Sequence, residues 1–254
     1  MRGALARALE RAWSGPGVRD LLDRAAGRPA GDVVALASLT ATHLLAFAGG
    51  EQALWDAPVE RAWSALSVPE KWRIQRTGLE SFRSERWLAW DGTEGGWNRR
   101  LTVDPALALI MRARTSPRSV VTLQIKGMMP AVRAYAIDHG AELPQCYLAE
   151  MPDRGLTASV RGWDNPFHWC YRYGVVARDG LVRLVKEYAV MPIAEDSPFA
   201  GQPRLISAYV PPVREQNLVT RFEVRGGEVP SDLEAVVAGL LAVRVPTPPP
   251  AAAP

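Results

Sequence analysis

The strongest constraint on the fold of this chain comes from two runs near its C-terminus in which apolar and polar residues alternate. Residues 218–224 place an apolar or β-branched side chain at every second position and carry Arg221 and Glu223 between them. This period of two is the pattern of a β-strand that buries one of its faces. Residues 205–210 form a similar run, and a Pro-Pro pair at 211–212 separates the two. The pattern predicts two consecutive strands joined by a loop.

A helix is predicted directly after the second of these strands. Ser231 is followed three residues later by Glu234, the spacing of a capping box in which two side chains satisfy backbone N–H groups at a helix start. Apolar residues recur at helical spacing behind this cap, at Leu233, Val236, Val237, Leu240 and Leu241. We therefore expect a C-terminal helix whose apolar stripe packs on the sheet.

Together with residues 179–194, this tail resembles the C-terminal portion of START-type lipid-transfer domains, members of the helix-grip superfamily. The matching features are an expected strand after Asp179-Gly180, the two strands above, and a glycine-then-proline entry to the helix at residues 226–230. They cover about the last quarter of the chain. The resemblance implies an α+β fold in which a curved antiparallel sheet wraps a long C-terminal helix. It also implies an enclosed apolar cavity for one lipid or similar ligand.

Upstream of the tail, the resemblance extends to the order of elements. Strands are predicted at residues 72–74, 86–90 and 97–103, and helices at residues 105–112 and 129–139. The Asp91-Gly92 and Asp179-Gly180 pairs are typical of hairpin turns. Residues 119–143 fit the family plan poorly, because the Gly-Met-Met-Pro break at 127–130 and the helix after it have no counterpart there.

The chain divides into three predicted parts. Residues 1–68 are expected to form a helical N-terminal extension, and residues 69–245 a helix-grip-like ligand-binding domain. Residues 246–254 are rich in Pro and Ala, carry nothing to bury, and are expected to be a disordered tail.

Helical spacing defines the elements of the N-terminal extension. The apolar faces of the first two helices are predicted from Leu5, Leu9 and Trp13 and from Val18, Leu21, Leu22 and Ala25. Residues 33–48 predict a third, buried helix capped by Asp32. This stretch is shorter than the ~20 apolar residues that cross a bilayer, so we do not expect a membrane span.

Composition places the chain among ordinary globular proteins. Of its 254 residues, 48% are hydrophobic and 22% are charged, which excludes wholesale disorder and allows a sizeable core. A formal net charge of +3 permits weak attraction to anionic surfaces but does not by itself indicate nucleic-acid binding. Cys146 and Cys170 are far apart and no secretory signal precedes them, which favours two reduced thiols in a cytoplasmic protein.

Sequence motifs give little support to catalysis. The nucleophile, phosphate-loop and zinc signatures are absent from the sequence, and we expect neither a cofactor nor a metal. Asp164, His168 and Cys170 lie in one short segment, where an imidazole could activate a thiol. The structural alternative is that Phe167, Trp169, Tyr171 and Tyr173 alternate along a strand that places His168 and Cys170 on its opposite face.

A second feature is the interleaving of tryptophan and arginine between residues 55 and 100. Aromatic rings can stack on bases while arginines hold phosphates, so this pattern also fits single-stranded nucleic acids. The alternative is that these aromatic residues fill the core while the arginines face water. The residues concerned are Trp55, Trp63, Trp72, Trp87, Trp90 and Trp97, with Arg61, Lys71, Arg73, Arg76, Arg83, Arg86, Arg99 and Arg100.

Aromatic enrichment fits an apolar ligand cavity equally well, because large flat side chains form its walls. The candidate lining residues are Trp163, Trp169, Tyr171, Tyr173, Phe222, Leu233, Val237 and Leu240. Arg183 and Glu187 are predicted on one face of their strand. If that face points inward they are polar handles for a head group, and if it points outward they are a surface pair of little energetic consequence.

The sequence therefore favours an α+β helix-grip domain that binds or carries a lipid or other bulky apolar ligand without turnover. Peripheral contact with a membrane is a further expectation for such a carrier. Two alternatives stay open at this point. One is a cyclase-like or other enzyme that uses the same cavity, and the other is a basic, Trp- and Arg-rich protein of nucleic-acid binding or assembly.

Overall fold

The computed structural model describes residues 2–29, 32–48, 56–91, 100–137, 145–153, 165–191, 193, 195–210, 217–225 and 239. The helices in these ranges are α1 (Arg2–Trp13), α2 (Pro16–Ala26), α3 (Ala41–Ala48), α4 (Ala57–Ala65), α5 (Val68–Ser84), α6 (Pro105–Thr115) and α7 (Arg178–Val190). The strands are β1 (Val34–Thr40), β2 (Leu88–Asp91), β3 (Arg100–Val103), β4 (Val120–Ile125), β5 (Val132–Ala136), β6 (Cys146–Pro152), β7 (Cys170–Ala177), β8 (Arg204–Tyr209) and β9 (Leu218–Val224).

Seven of the strands form one antiparallel sheet in the order β1-β7-β6-β5-β4-β8-β9, and β2 and β3 pair separately. The predicted α+β class with an antiparallel sheet is confirmed, and so are the two C-terminal strands. The sheet is open, with β1 and β9 at its edges. The predicted helix behind β9, the glycine-proline entry to it and the Pro/Ala tail lie outside the described residues.

Each face of the large sheet packs against helices. On one face, Tyr135, Leu148 and Val175 join a core formed with α1, α2, α3 and α6. On the other face, Ala149 and Ile206 pack with α7. Neighbours such as Leu148 and Ala149 belong to different clusters because successive side chains of a strand point to opposite faces. We call the face covered by α6 the α6 face and the other the α7 face.

The first two helices are confirmed, but the predicted helix at residues 33–48 is only half correct. Its first part is β1, which pairs with β7, so this piece of the N-terminal extension belongs to the large sheet. Helix α3 begins at Ala41, and Thr40 and His43 cap it reciprocally. The Thr40 N–H donates to His43 Nδ1 at 3.1 Å and the His43 N–H donates to Thr40 Oγ1 at 3.3 Å, whereas Asp32 lies well before the helix.

Three other predicted elements are wrong. Residues 72–74 lie inside α5, and residues 132–136 of the predicted helix at 129–139 form β5. The strand expected after Asp179-Gly180 is α7, and this pair starts the helix instead of a hairpin turn. Leu181, Val185 and Tyr188 of α7 recur at helical spacing and are buried against the α7 face.

The helix at residues 105–112 is confirmed as α6, β2 overlaps the strand predicted at 86–90, and β3 falls within the strand predicted at 97–103. The Asp104 carboxylate accepts the Ala106 N–H at 2.8 Å and caps α6. No helix within the described ranges has both the length and the apolar character that a bilayer crossing needs.

Candidate functional site

Strand register places three polar side chains in a row across the α6 face. Arg133 of β5 lies opposite Glu150 of β6, and Glu150 lies opposite Tyr173 of β7. Helix α6 is buried over most of its length and brings Arg114 from its last turn onto the same spot. The side chain of Glu150 is 0% exposed and that of Arg114 is 2% exposed. A carboxylate and a guanidinium therefore meet in the centre of the core.

Glu150 accepts hydrogen bonds from four side chains. Arg114 and the Tyr173 hydroxyl donate to Oε2, the latter at 2.7 Å. Arg133 Nη1 donates to Oε1 at 2.7 Å, and the Tyr135 hydroxyl donates to the same oxygen at 3.1 Å. A carboxylate has about four lone-pair sites, so the acceptor capacity of Glu150 is filled.

Asp56 is joined to these side chains through Arg133. It is the N-cap residue of α4, but its side chain makes no capping hydrogen bond. Instead Oδ1 accepts from Arg133 Nη2, and Oδ2 accepts from the Tyr171 hydroxyl at 2.6 Å. We call Arg114, Glu150, Arg133 and Asp56 the buried quartet. Its two guanidinium and two carboxylate groups balance in charge.

Mutual pairing keeps Asp56 and Arg133 ionised. Burial alone would raise the pKa of Asp56, but the charge of Arg133 and the hydrogen bonds from Arg133 and Tyr171 hold it below its ordinary value. Burial would lower the pKa of Arg133, and the carboxylates of Asp56 and Glu150 raise it well above its ordinary value. Burial and the neighbouring Asp56 raise the pKa of Tyr171, which keeps this hydroxyl protonated as a donor.

A cavity of about 340 Å³ opens beside the Asp56 end of the quartet. Its apolar walls come from Met128, Met129, Pro130, Pro152, Trp169 and Phe199, and its polar groups include Asp56 and Tyr171. The β4–β5 loop supplies the methionines. Gly127 of this loop adopts φ +84°, a conformation that favours glycine.

The wall at Trp169 is held by α3 and by the 3₁₀ turn Pro166–His168. The Trp169 carbonyl accepts the Ala41 N–H at 2.9 Å, and the Thr42 hydroxyl donates to the Phe167 carbonyl at 2.9 Å. The indole Nε1 of Trp169 is enclosed and has no hydrogen-bond acceptor in the described part of the chain. Two elements thus fix this aromatic wall in place.

The residues predicted to line a ligand cavity lie in different places. Trp169 and Tyr171 line the cavity beside Asp56. Tyr173 lies on the same face but donates to Glu150 within the quartet region. Phe222 packs in the cluster on the α7 face, away from this cavity. Trp163, Leu233, Val237 and Leu240 lie outside the described residues.

The predicted polar handles are not on a strand. Arg183 and Glu187 lie one turn apart on α7, with Nε to Oε1 at 2.7 Å, and their side chains are 61% and 60% exposed. Of the two arrangements considered for this pair, the structure has the outward one. Its physical reason is the helix, which turns Leu181 and Val185 to the sheet and this pair to solvent.

Sequence reasoning missed the quartet entirely. Arg133 and Glu150 each stand alone in an apolar run, where a period of two assigns single charged residues to a solvent-facing side. The signal that could have found them is Arg114, which with Arg112 follows the apolar run of α6. Only the strand order β7-β6-β5 then brings the opposite charges together.

The groups considered for catalysis are poorly arranged for it. Cys170 lines the cavity, but burial and the charge of Asp153 raise the pKa of its thiol, while His168 is exposed.

His43 contacts Ser81 at 2.9 Å, and Ser81 donates to Glu85 at 2.8 Å. The serine therefore lies between the imidazole and the carboxylate, whereas a nucleophilic triad needs the imidazole in the middle. No three potential metal ligands cluster within the described ranges.

The described tryptophans of the tryptophan- and arginine-rich segment do not share one surface. Trp63 is buried in α4, and Trp72 is 67% exposed on α5. Arg76 follows Trp72 by one turn and pairs with Glu80 at 2.7 Å. Trp55, Trp97 and Arg99 lie outside the described residues. The exposed face of α5 thus carries charges of both signs around one aromatic ring.

Comparisons with protein-family models, with curated proteins and with solved structures find no match to this chain. The resemblance to START-type domains therefore stays a prediction from the sequence. The cavity and the quartet beside it carry the functional argument.

Proposed function

We propose that this protein binds a small, largely apolar molecule in the cavity beside the buried quartet, without a chemical step. The observation that carries the proposal is the cavity itself, about 340 Å³ with methionine, proline and aromatic walls and a few polar groups on one side. Ligand pockets in proteins are typically about 300–1,000 Å³ and have this mixture of apolar walls and sparse polar groups.

The quartet supports binding because it gives the cavity a rigid boundary. Asp56, Arg133 and Glu150 connect the start of α4 to β5 and β6, and Arg114 adds α6. A site held in this way loses little conformational freedom when a ligand enters. The methionines of the β4–β5 loop add adaptability, since their unbranched side chains fill irregular spaces.

Several features favour binding over turnover. The Cys170 thiol stays protonated at neutral pH because burial raises its pKa, so it is a poor nucleophile. Asp56 is held by Arg133 and Tyr171, and its lowered pKa makes it a weak general base. A lipid carrier of the helix-grip type remains within the proposal, with β8 and β9 where the resemblance requires strands. Since α7 replaces another of its strands, the proposal rests on the cavity.

The test uses saturation-transfer NMR with a panel of apolar fragments, together with native mass spectrometry for a co-purifying molecule. Met128→Trp is expected to fill the cavity and weaken fragment binding by at least about ten-fold, because the new indole occupies the ligand volume. Met191→Trp is the matched control, since Met191 is 54% exposed at the end of α7. It should bind fragments as the unaltered protein does.

Two outcomes would contradict the proposal. One is the absence of saturable binding across the panel. The other is an equal response of Met128→Trp and Met191→Trp, which would place any binding elsewhere on the chain.

A further inference from the structure

The two carboxylates of the buried quartet differ in how completely they are hydrogen-bonded. Glu150 accepts from Arg114, Tyr173, Arg133 and Tyr135, which fills its lone-pair sites. Asp56 accepts from Arg133 on one oxygen and from Tyr171 on the other, and from no other group in the described ranges. About half of the acceptor capacity of Asp56 is therefore unused.

The unused capacity lies where a ligand can reach it. Asp56 lines the cavity, whereas Glu150 is 0% exposed and lies deeper in the core. The Asp56 side chain is only 4% exposed to solvent, so few water molecules can serve it. Each Asp56 oxygen has one donor, and a donor on a bound ligand could add a further hydrogen bond to this carboxylate.

Charge decides which kind of donor fits. Arg133 lies against the Asp56 carboxylate, and the quartet already contains as many cations as anions. An ammonium ligand would add an unpaired positive charge beside a guanidinium in a poorly solvated site. An anionic ligand would face the carboxylate itself. A neutral hydroxyl can donate to Asp56 without either cost.

We propose that the ligand of this cavity is a neutral, mostly apolar alcohol or phenol whose hydroxyl donates a hydrogen bond to Asp56. This inference rests on the proposed binding function and adds to it the chemical class of the ligand. The apolar body packs against Met128, Pro130 and Phe199, and the hydroxyl faces the Asp56 wall.

The experiment compares 4-propylphenol with its methyl ether, which has the same apolar body but no hydroxyl donor. Dissociation constants are measured by calorimetry or ligand-observed NMR. We expect the phenol to bind about ten-fold more tightly, the size of effect associated with one hydrogen bond to a charged group. In Asp56→Asn the preference should fall to within about three-fold, because the amide is a weaker, uncharged acceptor.

Tyr171→Phe provides a second variant in case Asp56→Asn does not fold. It leaves Asp56 and Arg133 in place and removes the hydroxyl that shares the carboxylate. The phenol preference should be at least as large as in the unaltered protein. A preference lost in Tyr171→Phe would overturn the inference, since it would make the Tyr171 hydroxyl the recognising group.

The outcomes separate this inference from the proposed function. Binding of phenol and ether with equal affinity would overturn the inference and leave apolar binding intact. Absence of binding by both compounds, and by the wider fragment panel, would overturn the proposed function itself. Tighter binding of a propylammonium analogue than of the phenol would also overturn the inference, because an ammonium group would be an unpaired positive charge beside Arg133.

Discussion

Two arginine–glutamate pairs in this protein have the same nitrogen-to-oxygen distance and opposite surroundings. Arg133 and Glu150 meet at 2.7 Å with side chains 7% and 0% exposed, and Arg183 and Glu187 meet at 2.7 Å with side chains 61% and 60% exposed. Water screens the exposed pair, and ordering its long side chains costs entropy. The buried pair is desolvated and cannot lose one partner without leaving a charge in the core. Burial, and not distance, sets the energetic consequence of each pair.

The partners of each pair also differ in number. Among the described residues, the Glu187 carboxylate pairs with Arg183, one turn away on α7, as any helix allows. Glu150 has two guanidinium groups and two phenol hydroxyls, drawn from β5, β7 and α6. Such a network satisfies its buried carboxylate fully, which is the condition under which ionic groups persist in a core. The quartet therefore forms only when distant elements pack together, whereas the α7 pair forms within one helix.

The largest expected effect comes from removing the buried negative charge. Glu150→Gln keeps the shape of the side chain but leaves Arg114 and Arg133 facing one carboxylate, and should cost about 3–5 kcal/mol of unfolding free energy. The matched control, Glu187→Gln on α7, should change it by no more than about 0.5 kcal/mol. Urea unfolding at pH 7 measures both. Equal losses for the two variants, or a loss below about 1 kcal/mol for Glu150→Gln, would contradict the conclusion that burial sets the energetic consequence of each pair.

A smaller effect is expected from the hydroxyl that links the cavity wall to the quartet. Tyr171→Phe removes the 2.6 Å hydrogen bond to Asp56 and should cost about 1.5–3 kcal/mol, as for a hydrogen bond to a charged group. Tyr147→Phe is the control, because Tyr147 is 1% exposed and its hydroxyl has no hydrogen-bond partner among the described residues. It should be neutral or slightly stabilising. If Tyr171→Phe and Tyr147→Phe lost similar amounts of unfolding free energy, Tyr171 would matter only for packing.

The smallest expected effect is on the acid side of the stability profile. The pKa of Asp56 is lower in the folded protein than its ordinary value, so the unfolded chain takes up this proton first. The corresponding stability is present above about pH 4 and is lost as the pH falls through the folded pKa. Thermal or urea unfolding between pH 6 and pH 3 should therefore show a flatter profile for Asp56→Asn than for the unaltered protein.

His43 also contributes to the pH dependence of stability, and its contribution must be the same in both proteins. Burial lowers the pKa of His43 more than Glu85 raises it, so the unfolded chain binds a proton there from about pH 6.5 downward. Both proteins keep His43, and the difference between their profiles isolates Asp56. Parallel profiles down to pH 3 would show that Arg133 does not stabilise the ionised form of Asp56.

The elements predicted correctly share a strong local signal. In α1 and α2 the apolar residues recur at helical spacing, in α6 an N-cap aspartate precedes the repeat, and in β9 the alternation is regular. In α1, α2 and β9 one period fits and the other does not, whereas α6 is marked by its N-cap. Of the segments predicted wrongly, β1 and β5 are short apolar stretches that fit both periods, whereas α7 is an amphipathic helix that the resemblance assigned to a strand. In the structure β1 is a strand that pairs with β7, and β5 is a strand that pairs with β4 and β6. Helix α7 packs its buried residues on the α7 face.

The candidate site divides in the same way. Trp169 and Tyr171 were predicted because aromatic residues alternate through this segment, and both line the cavity. Asp56 and Arg133 could not be predicted to meet, since 77 residues separate them and neither lies in a motif. The α+β class and the antiparallel C-terminal strands were predictable from the sequence alone, because they follow from local periodicity and side-chain type. The buried quartet and the half-satisfied carboxylate on the cavity were not, because strand order and register bring together charges that are remote in the chain.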